Sequence, residues 1–367
     1  MMKIAFCNRP SWDSPLGGDG VQMIKTRDAL EKKYPVKIDI ITNPNDLEKG
    51  YDIIHVFNYA TWKITRSFFE KAIELNVPIV SSSICWDYTY AWNRLTNLFV
   101  TDHVSKFSSE IIRKIARYLA NVCGYPIYLS SRFRKQLIYF TENSRLILPN
   151  SNEEGELLLK FIKRKEMHHK IHVVYNASDS SEEVHYLPKN EFDIKYGLPE
   201  NYILQVGRIE PVKNQINLVY ALKNYPDIPI VFIGKVSDNR YMNKLKRISE
   251  KRGNVYFLDA VPHDEIATFY KYASIHVLLS LRESPGLVSL EALNHDCPIV
   301  VANEKYTPTK TYFANQPYIV DPFNIKEIEK ILLLAYKERR LHKELINNFT
   351  WDIVAEQTYL AYSKIKK

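Results

Sequence analysis

Short runs of β-branched and aromatic residues alternate with longer stretches of helical periodicity along the chain. Ile4–Cys7, Val36–Ile41, Asp52–Phe57 and Pro78–Ser83 read as strands, with helices over Val21–Lys33 and Ile64–Asn76 and a turn at Gly18-Asp19-Gly20. After a basic helical stretch come Leu146–Pro149, a helix from Asn152, and Ile171–Tyr175. The pattern restarts at Tyr202–Gly207. It continues through Pro229–Gly234, Val255–Leu258, Ile275–Ser280, Pro298–Ala302 and Tyr318–Val320, with helices starting near Lys213, Asp238, His263 and Leu287. Strands alternating with helices predict parallel sheets covered on both faces. Two doubly wound halves fit the pattern better than one very large sheet. The polar stretch Tyr175–Tyr196 reads as the linker. Asn324–Leu345 predicts a long helix, and Thr350 the N-cap of a last one, expected to pack back on the first half. The expected domains are 1–180 with 350–367, and 181–349.

Composition adds limits. The 367 residues are 46% apolar and 25% charged, which excludes disordered, collagenous and coiled-coil classes. No apolar run approaches the ~18–20 residues that span a bilayer. Met1–Pro10 reads as a strand and lacks the features of a signal peptide. Cys7, Cys85, Cys123 and Cys297 are scattered without a CxxC pair. That excludes the usual zinc spacings and argues for reduced thiols in a cytoplasmic protein. The net charge is +8, and residues 101–172 alone hold 13 Lys/Arg against 7 Asp/Glu. Within them Ile111, Ile112, Ile115 and Leu119 fall at helical spacing among Arg113, Lys114 and Arg117, with Arg132, Arg134 and Lys135 beyond. This fits a basic amphipathic surface for an anionic membrane, and equally a core-facing helix with a solvated basic face. No nucleic-acid module is present, so no nucleic-acid partner is expected.

In open parallel sheets, ligands bind outside the carboxyl ends of the strands. Two segments there carry chemistry. In Gly207-Arg208-Ile209-Glu210-Pro211-Val212-Lys213-Asn214-Gln215, two cations stand at a strand end beside a helix start, which suits a diphosphate. The same residues also fit a solvated loop. In Glu283-Ser284-Pro285-Gly286-Leu287-Val288-Ser289-Leu290-Glu291-Ala292, Gly286 permits close backbone approach and opens a helix whose first N–H groups point at an anion. Glu283 and Glu291 flank that start and suit vicinal hydroxyls of a sugar or ribose; the bland alternative is an exposed and a capping carboxylate. The loop Pro15-Leu16-Gly17-Gly18-Asp19-Gly20 is neither GxGxxG nor a Walker loop.

Together these segments resemble the retaining glycosyltransferases of family 4, with the GT-B fold: two Rossmann-like doubly wound parallel-sheet domains facing across a cleft. Further matching stretches are Gly18–Gln22, Asp52–Val56, Leu148-Pro149-Asn150-Ser151 with Glu154, and Val173–Asn176. The resemblance runs from Lys3 to about Tyr362. It implies retaining transfer of a hexose from a nucleotide-diphosphate sugar, UDP- or GDP-linked, to a hydroxyl of a glycan or lipid-linked glycan. By position, Arg208 and Lys213 would hold the diphosphate and stabilise the leaving charge, and Glu283 would bind donor hydroxyls. Gly286 and Leu287 would offer N–H groups to the phosphates, with Ser284 and Val288 beside them, and Glu291 would bind the ribose. Gly17 and Gly18 would approach the β-phosphate. No D-x-D sequence occurs, in line with the metal independence usual for the family, and no cofactor is implied.

Many members carry a His after the strand matching Pro78–Ser83, where this chain reads Ser83-Ile84-Cys85-Trp86-Asp87. Asp87, Trp86 or Ser83 would then line the acceptor side, with Ser151 and Glu154 nearby. His55 is an alternative, although a His inside a strand is more often a satisfied core residue. The segment Tyr306–Phe313 with Asp321-Pro322 resembles a subgroup found in cell-surface polysaccharide clusters, pointing to polysaccharide biosynthesis. The missing His keeps open a non-catalytic nucleotide-sugar-binding subunit on the same scaffold. A nucleotide-sugar epimerase is a further alternative.

Overall fold

The computed structural model describes residues 1–10, 18–86, 91, 131–179, 185–342 and 346–365. The chain divides into two compact units, Met1–Tyr175 with Asp352–Lys367, and Asn176–Trp351.

The first unit is built on a parallel sheet of β1 (Met2–Cys7), β2 (Val36–Ile41), β3 (Ile53–Phe57), β4 (Ile79–Ser82) and β5 (Leu146–Ile147), in the order β2-β1-β3-β4-β5. Strands β3 and β4 are buried along their whole length. Burial without alternation is that of strands covered on both faces, and the polar members His55, Ser81 and Ser82 are hydrogen-bonded. Phe68 and Phe69 of helix Trp62–Glu74 and Phe133, Leu137 and Phe140 of helix Ser131–Asn143 fill the core on one side.

The second unit carries β6 (Ile203–Val206), β7 (Ile230–Ile233), β8 (Val255–Leu258), β9 (Ile275–Leu278), β10 (Ile299–Ala302) and β11 (Ile319–Val320). They form one parallel sheet in the order β11-β10-β9-β6-β7-β8. Counted within the unit this is the 3-2-1-4-5-6 order of dinucleotide-binding folds read from the other edge. The order reverses between β6 and β9, where Ile203 pairs with Ile275 and Leu204 with His276. Among the described residues, no helix is long and apolar enough to cross a membrane.

Four expectations from the sequence are corrected. Gly18-Asp19-Gly20 is the first turn of helix Gly18–Lys33 and no separate turn. Asp19 favours the helix N-terminus electrostatically and accepts from Asn58 Nδ2 at 3.0 Å, which outweighs two poor helix formers. Ile171–Tyr175 makes a single bridge, Ile171 to Ile147, and no strand. The polar stretch read as linker ends in helix Lys189–Tyr196, because Phe192 is buried against Phe269, Tyr196 and Tyr272. The helix expected over Asn324–Leu345 stops at Glu338, where Arg339 turns left-handed with φ 49°.

The last helix, Trp351–Ser363, belongs to the first unit from Asp352 onward. Tyr362 and His55 are joined across 307 residues by a 2.6 Å hydrogen bond, and the other His55 nitrogen meets Ser82 Oγ at 2.9 Å. Gln357 binds the Tyr175 N–H at 2.9 Å and stacked Tyr34 and Tyr359 complete the seam. His55 is thus a satisfied core residue. Burial pushes its pKa down to about 3, so between the ordinary value and that one only the unfolded chain takes the proton. Stability of the first unit is therefore expected to fall as pH drops below about 6.5, by roughly 1.4 kcal/mol per pH unit from this residue. Urea midpoints of wild type and His55→Phe against pH check this. A shallower acid slope in the variant is the expected result, and an equal slope counts against it.

Candidate functional site

In a doubly wound sheet the loops leaving the two strands at the reversal run to opposite faces and open a crevice. Here those loops follow β6 and β9, and both carry the chemistry-bearing segments.

The loop after β6 turns at Gly207, whose φ of +144° disfavours any side chain. The next strand's loop turns at Gly234, φ +146°, where a Cβ would stand 2.2 Å from the Gly207 oxygen. The two loops then bond to each other, Gly207 N to Ile233 O at 2.9 Å and Ile209 N to Lys235 O at 2.9 Å. A short 3₁₀ turn, Pro211–Lys213, and Asn214 at φ 57° lead into helix Gln215–Ala221. Two buried amides clamp the loop from inside. Gln205 Nε2 donates to the Lys213 carbonyl at 2.8 Å, and Gln215 Nε2 to the Arg208 carbonyl at 2.9 Å. Arg208 is exposed and reaches Glu210 Oε1 at 3.0 Å.

The loop after β9 is tied to the first by Leu281 N to Val212 O, 2.8 Å, and to the Tyr306 carbonyl by Glu283 N, 3.0 Å. Glu283 forms an ion pair with Lys213, and both side chains are largely buried, at 12% and 16% exposure. Gly286 caps helix Leu287–Asn294 with φ +91° and no side-chain hydrogen bond, so the leading N–H groups receive none from the cap. A Cβ at Gly286 would stand 2.9 Å from Leu278 Cδ2. Ser284 and Val288 are half-buried on either side of it. Glu291 lies one turn into the helix and accepts from Tyr270 Oη at 3.2 Å; Tyr270 is itself buried. His276 in β9 is buried with neither ring nitrogen hydrogen-bonded. Burial, and then the charge of Lys213, push its pKa down to about 3. The imidazole beneath the lysine is therefore neutral at ordinary pH and adds no competing cation.

The second unit thus pairs Lys213 with Glu283 and sets Glu283 beside Gly286, on the two loops that also carry Ser284, Leu287 and Val288. Arg208 is paired with Glu210, and Glu291 with Tyr270. Gln205 and Tyr270 were not anticipated, and Glu210 and Gln215 stood in the matching segment without a role. The two glutamines carried no periodic signal, and Tyr270 lies outside both loops, on helix His263–Tyr272 before β9.

In the first unit, Ser83 and Trp86 follow β4 while Ser151 and Glu154 follow β5, and all four are buried. Glu154 Oε1 accepts from Ser83 Oγ at 2.5 Å and from Cys85 N at 2.9 Å, and its Oε2 accepts from Asn150 N at 3.2 Å. Ser151 caps helix Asn152–Ile162 by accepting from Glu154 N at 3.0 Å. These groups hold two loops together. Gly18 begins the first helix. Gly17, Asp87 and the basic segment from Ile111 to Leu119 lie outside the described residues. Arg132, Arg134 and Lys135 stand in helix Ser131–Asn143, where Arg134 Nη2 donates to the Ile162 carbonyl at 3.0 Å and Arg132 lies over the Trp62 ring. Among the described residues, no group of three His, Cys, Asp or Glu side chains could hold a metal ion.

Residues 188–350 match the family model described as glycosyl transferases group 1. A serotype-specific mannosyltransferase of Escherichia coli is 25% identical over 41% of this chain and 19% of its own length. An alpha-monoglucosyldiacylglycerol synthase of Acholeplasma laidlawii is 32% identical over 68% of this chain and 58% of its own. The chain therefore spans between a fifth and three-fifths of the length of these relatives. The crystal structure of Anabaena HepE in complex with UDP and glucose covers 100% of this chain and 97% of its own, at 16% identity and a TM-score of 0.64. That likeness fixes the fold.

The contact between the loops after β6 and β7 makes a prediction. Gly234→Ala drives a Cβ into the Gly207 carbonyl, whereas a Cβ at Gly253, φ +78°, meets nothing within 4 Å. Both changes strain the backbone, and only the first overpacks it. Gly234→Ala is expected to destabilise the second unit by at least about 1 kcal/mol more than Gly253→Ala in denaturant titration.

Proposed function

We propose, taking as the premise the chain's membership of the glycosyl transferases group 1 family, that it is a retaining glycosyltransferase. It moves a hexose from a nucleotide-diphosphate sugar to a hydroxyl of a glycan or lipid-linked glycan. The observation that carries this reading is the Lys213–Glu283 pair beside the uncapped start of helix Leu287–Asn294, with Arg208 on the same loop as Lys213, at the strand-order reversal of the second unit. A diphosphate leaving group gains negative charge as the glycosidic bond breaks. Cations already fixed in place stabilise that charge more in the transition state than in the ground state, so they act on rate.

Without ligand, Lys213 and Glu283 neutralise each other. On donor binding, the ammonium turns to the phosphates and the carboxylate accepts hydroxyl hydrogens of the sugar. Each partner thereby exchanges one polar contact for another, and neither charge is left buried alone. Glu291, steadied by Tyr270, receives the ribose hydroxyls. Arg208, exposed on its loop, exchanges Glu210 for the outer phosphate oxygens.

UDP is favoured as the nucleotide because HepE, which shares the fold, was crystallised with it. The two relatives' names, one a mannosyltransferase and one a diacylglycerol glycolipid synthase, support a carbohydrate or lipid acceptor and a place in cell-surface glycan assembly. We assign the acceptor to the first unit, where Ser83, Trp86, Ser151 and Glu154 shape the loops after β4 and β5. No divalent ion is required on this reading, since the two cations and the helix start supply the positive charge.

Lys213→Ala and Glu283→Ala are each expected to lower transfer by about 10²–10³-fold. Release of UDP or GDP from a panel of nucleotide sugars, with lipid and oligosaccharide acceptors, measures it. Full activity in both variants overturns the assignment. The anomeric configuration of the product, read by proton NMR, tests retention. Donor binding without turnover on any acceptor would instead favour a binding subunit.

A further inference from the structure

Helix Asn239–Arg252 carries Arg240, Lys244, Lys246, Arg247, Lys251 and Arg252 against a single acid, Glu250. Its buried residues are Leu245, Ser249 and Arg252. At 100° per residue, these three lie within about 60° of one another. Arg252 is the rivet: Nε donates to Leu222 O at 3.0 Å, and Nη2 to Tyr225 O and Ile228 O at 2.6 Å each. The rotation of the helix about its axis is thereby fixed.

That rotation decides what faces out. Arg240, Lys244, Arg247 and Lys251 follow one another at intervals of four, three and four residues and are all exposed. They fall within an arc of about 60°, roughly 140° from the packed side, in a row about 17 Å long. Among the described residues none of the four has an ion-pair partner. Three other helices mix the signs. Arg66 pairs with Glu70 and Lys71 with Glu74 on one, and Lys189 with Asp193 on another. Helix Ile325–Glu338 alternates Lys326, Glu327, Glu329 and Lys330.

We propose that this row is a docking surface for an anionic lipid bilayer. The row is straight, convex and of one sign, and it offers no pocket or buried donor that would fix a single small anion. A sheet of phosphodiester headgroups needs neither register nor concavity, only cations that reach it together, and each contributes about fivefold to partition. No large apolar side chain stands in the row, so contact is electrostatic and shallow and weakens as salt shortens the screening length. The inference deepens the reading above by giving a lipid-linked acceptor a surface on which to be met, and it rests on that reading only there.

The test is co-sedimentation of the full chain with phosphatidylcholine vesicles, with and without phosphatidylglycerol, at low and high salt. Wild type is expected to bind only the anionic vesicles, and only at low salt. Replacing the four residues together (Arg240→Glu, Lys244→Glu, Arg247→Glu, Lys251→Glu) is expected to lower that binding by more than about 100-fold, and the glutamine set by somewhat less. Reversing Lys326, Lys330 and Lys337 on helix Ile325–Glu338 is the control and is expected to leave most of the binding. Thermal shift by UDP or GDP reports that each variant is folded with its nucleotide site unchanged, so failure of the docking surface and failure of the transferase reading show separately. Equal binding to neutral vesicles, unchanged binding of the four-residue variant, equal loss in the control, or tighter binding of double-stranded DNA at the same salt would each overturn the proposal.

Discussion

Everything at the candidate site follows from one constraint of parallel sheets: β6 and β9 are neighbours whose onward connections leave for opposite faces. At such a reversal the strand ends are where a crevice is expected, and here they are Val206 and Leu278. The rest of the second unit is arranged around keeping those two loops close without letting them fill it. Glycines at 207 and 234 let the backbones of adjacent loops touch, the Leu281 N–H reaches the Val212 carbonyl, and Gly286 brings a helix start down onto Leu278. A parallel sheet with its strands in sequential order would offer the same residues no such opening.

Electrostatics then acts within that geometry. A largely buried lysine would be costly alone, and so would a glutamate; set opposite one another, each is the other's counter-charge. The supporting groups are neutral: two glutamine amides holding carbonyls, a tyrosine hydroxyl on Glu291, and an uncharged imidazole below. The layer behind the charged groups is thus neutral and supplies position. The first unit uses the same economy in another form, with Glu154 spending its carboxylate on Ser83, Cys85 and Asn150.

Most of the fold was legible in the sequence because buried parallel strands are written as continuous apolar runs, and here they are separated by long helical repeats. Both sheets and the two loops of the second unit were visible that way. Where the reading slipped, a tertiary contact had overridden a local one. Gly18-Asp19-Gly20 looks like a turn until Asn58 and Arg9 are placed against Asp19. The helix at Lys189–Tyr196 depends on one residue, Phe192, finding an aromatic cluster some eighty positions away. Of the site, the charged residues were legible from spacing around strand ends. Tyr270 and Gln205, and the role of Gln215, were not, since each acts through a hydrogen bond whose partner only the fold reveals.

The bond between His55 and Tyr362 closes the first unit with residues that follow the whole of the second in sequence. During synthesis, then, the unit begun first is completed last. Until residues past Trp351 leave the ribosome, the face of the first sheet that Tyr362 seals stays uncovered and His55 lacks one of its two partners. The second unit, with an uninterrupted stretch of chain, meets no such delay. The order of emergence and the order of completion are reversed, and the partly made protein must hold an unsealed sheet for the time it takes to translate an entire domain.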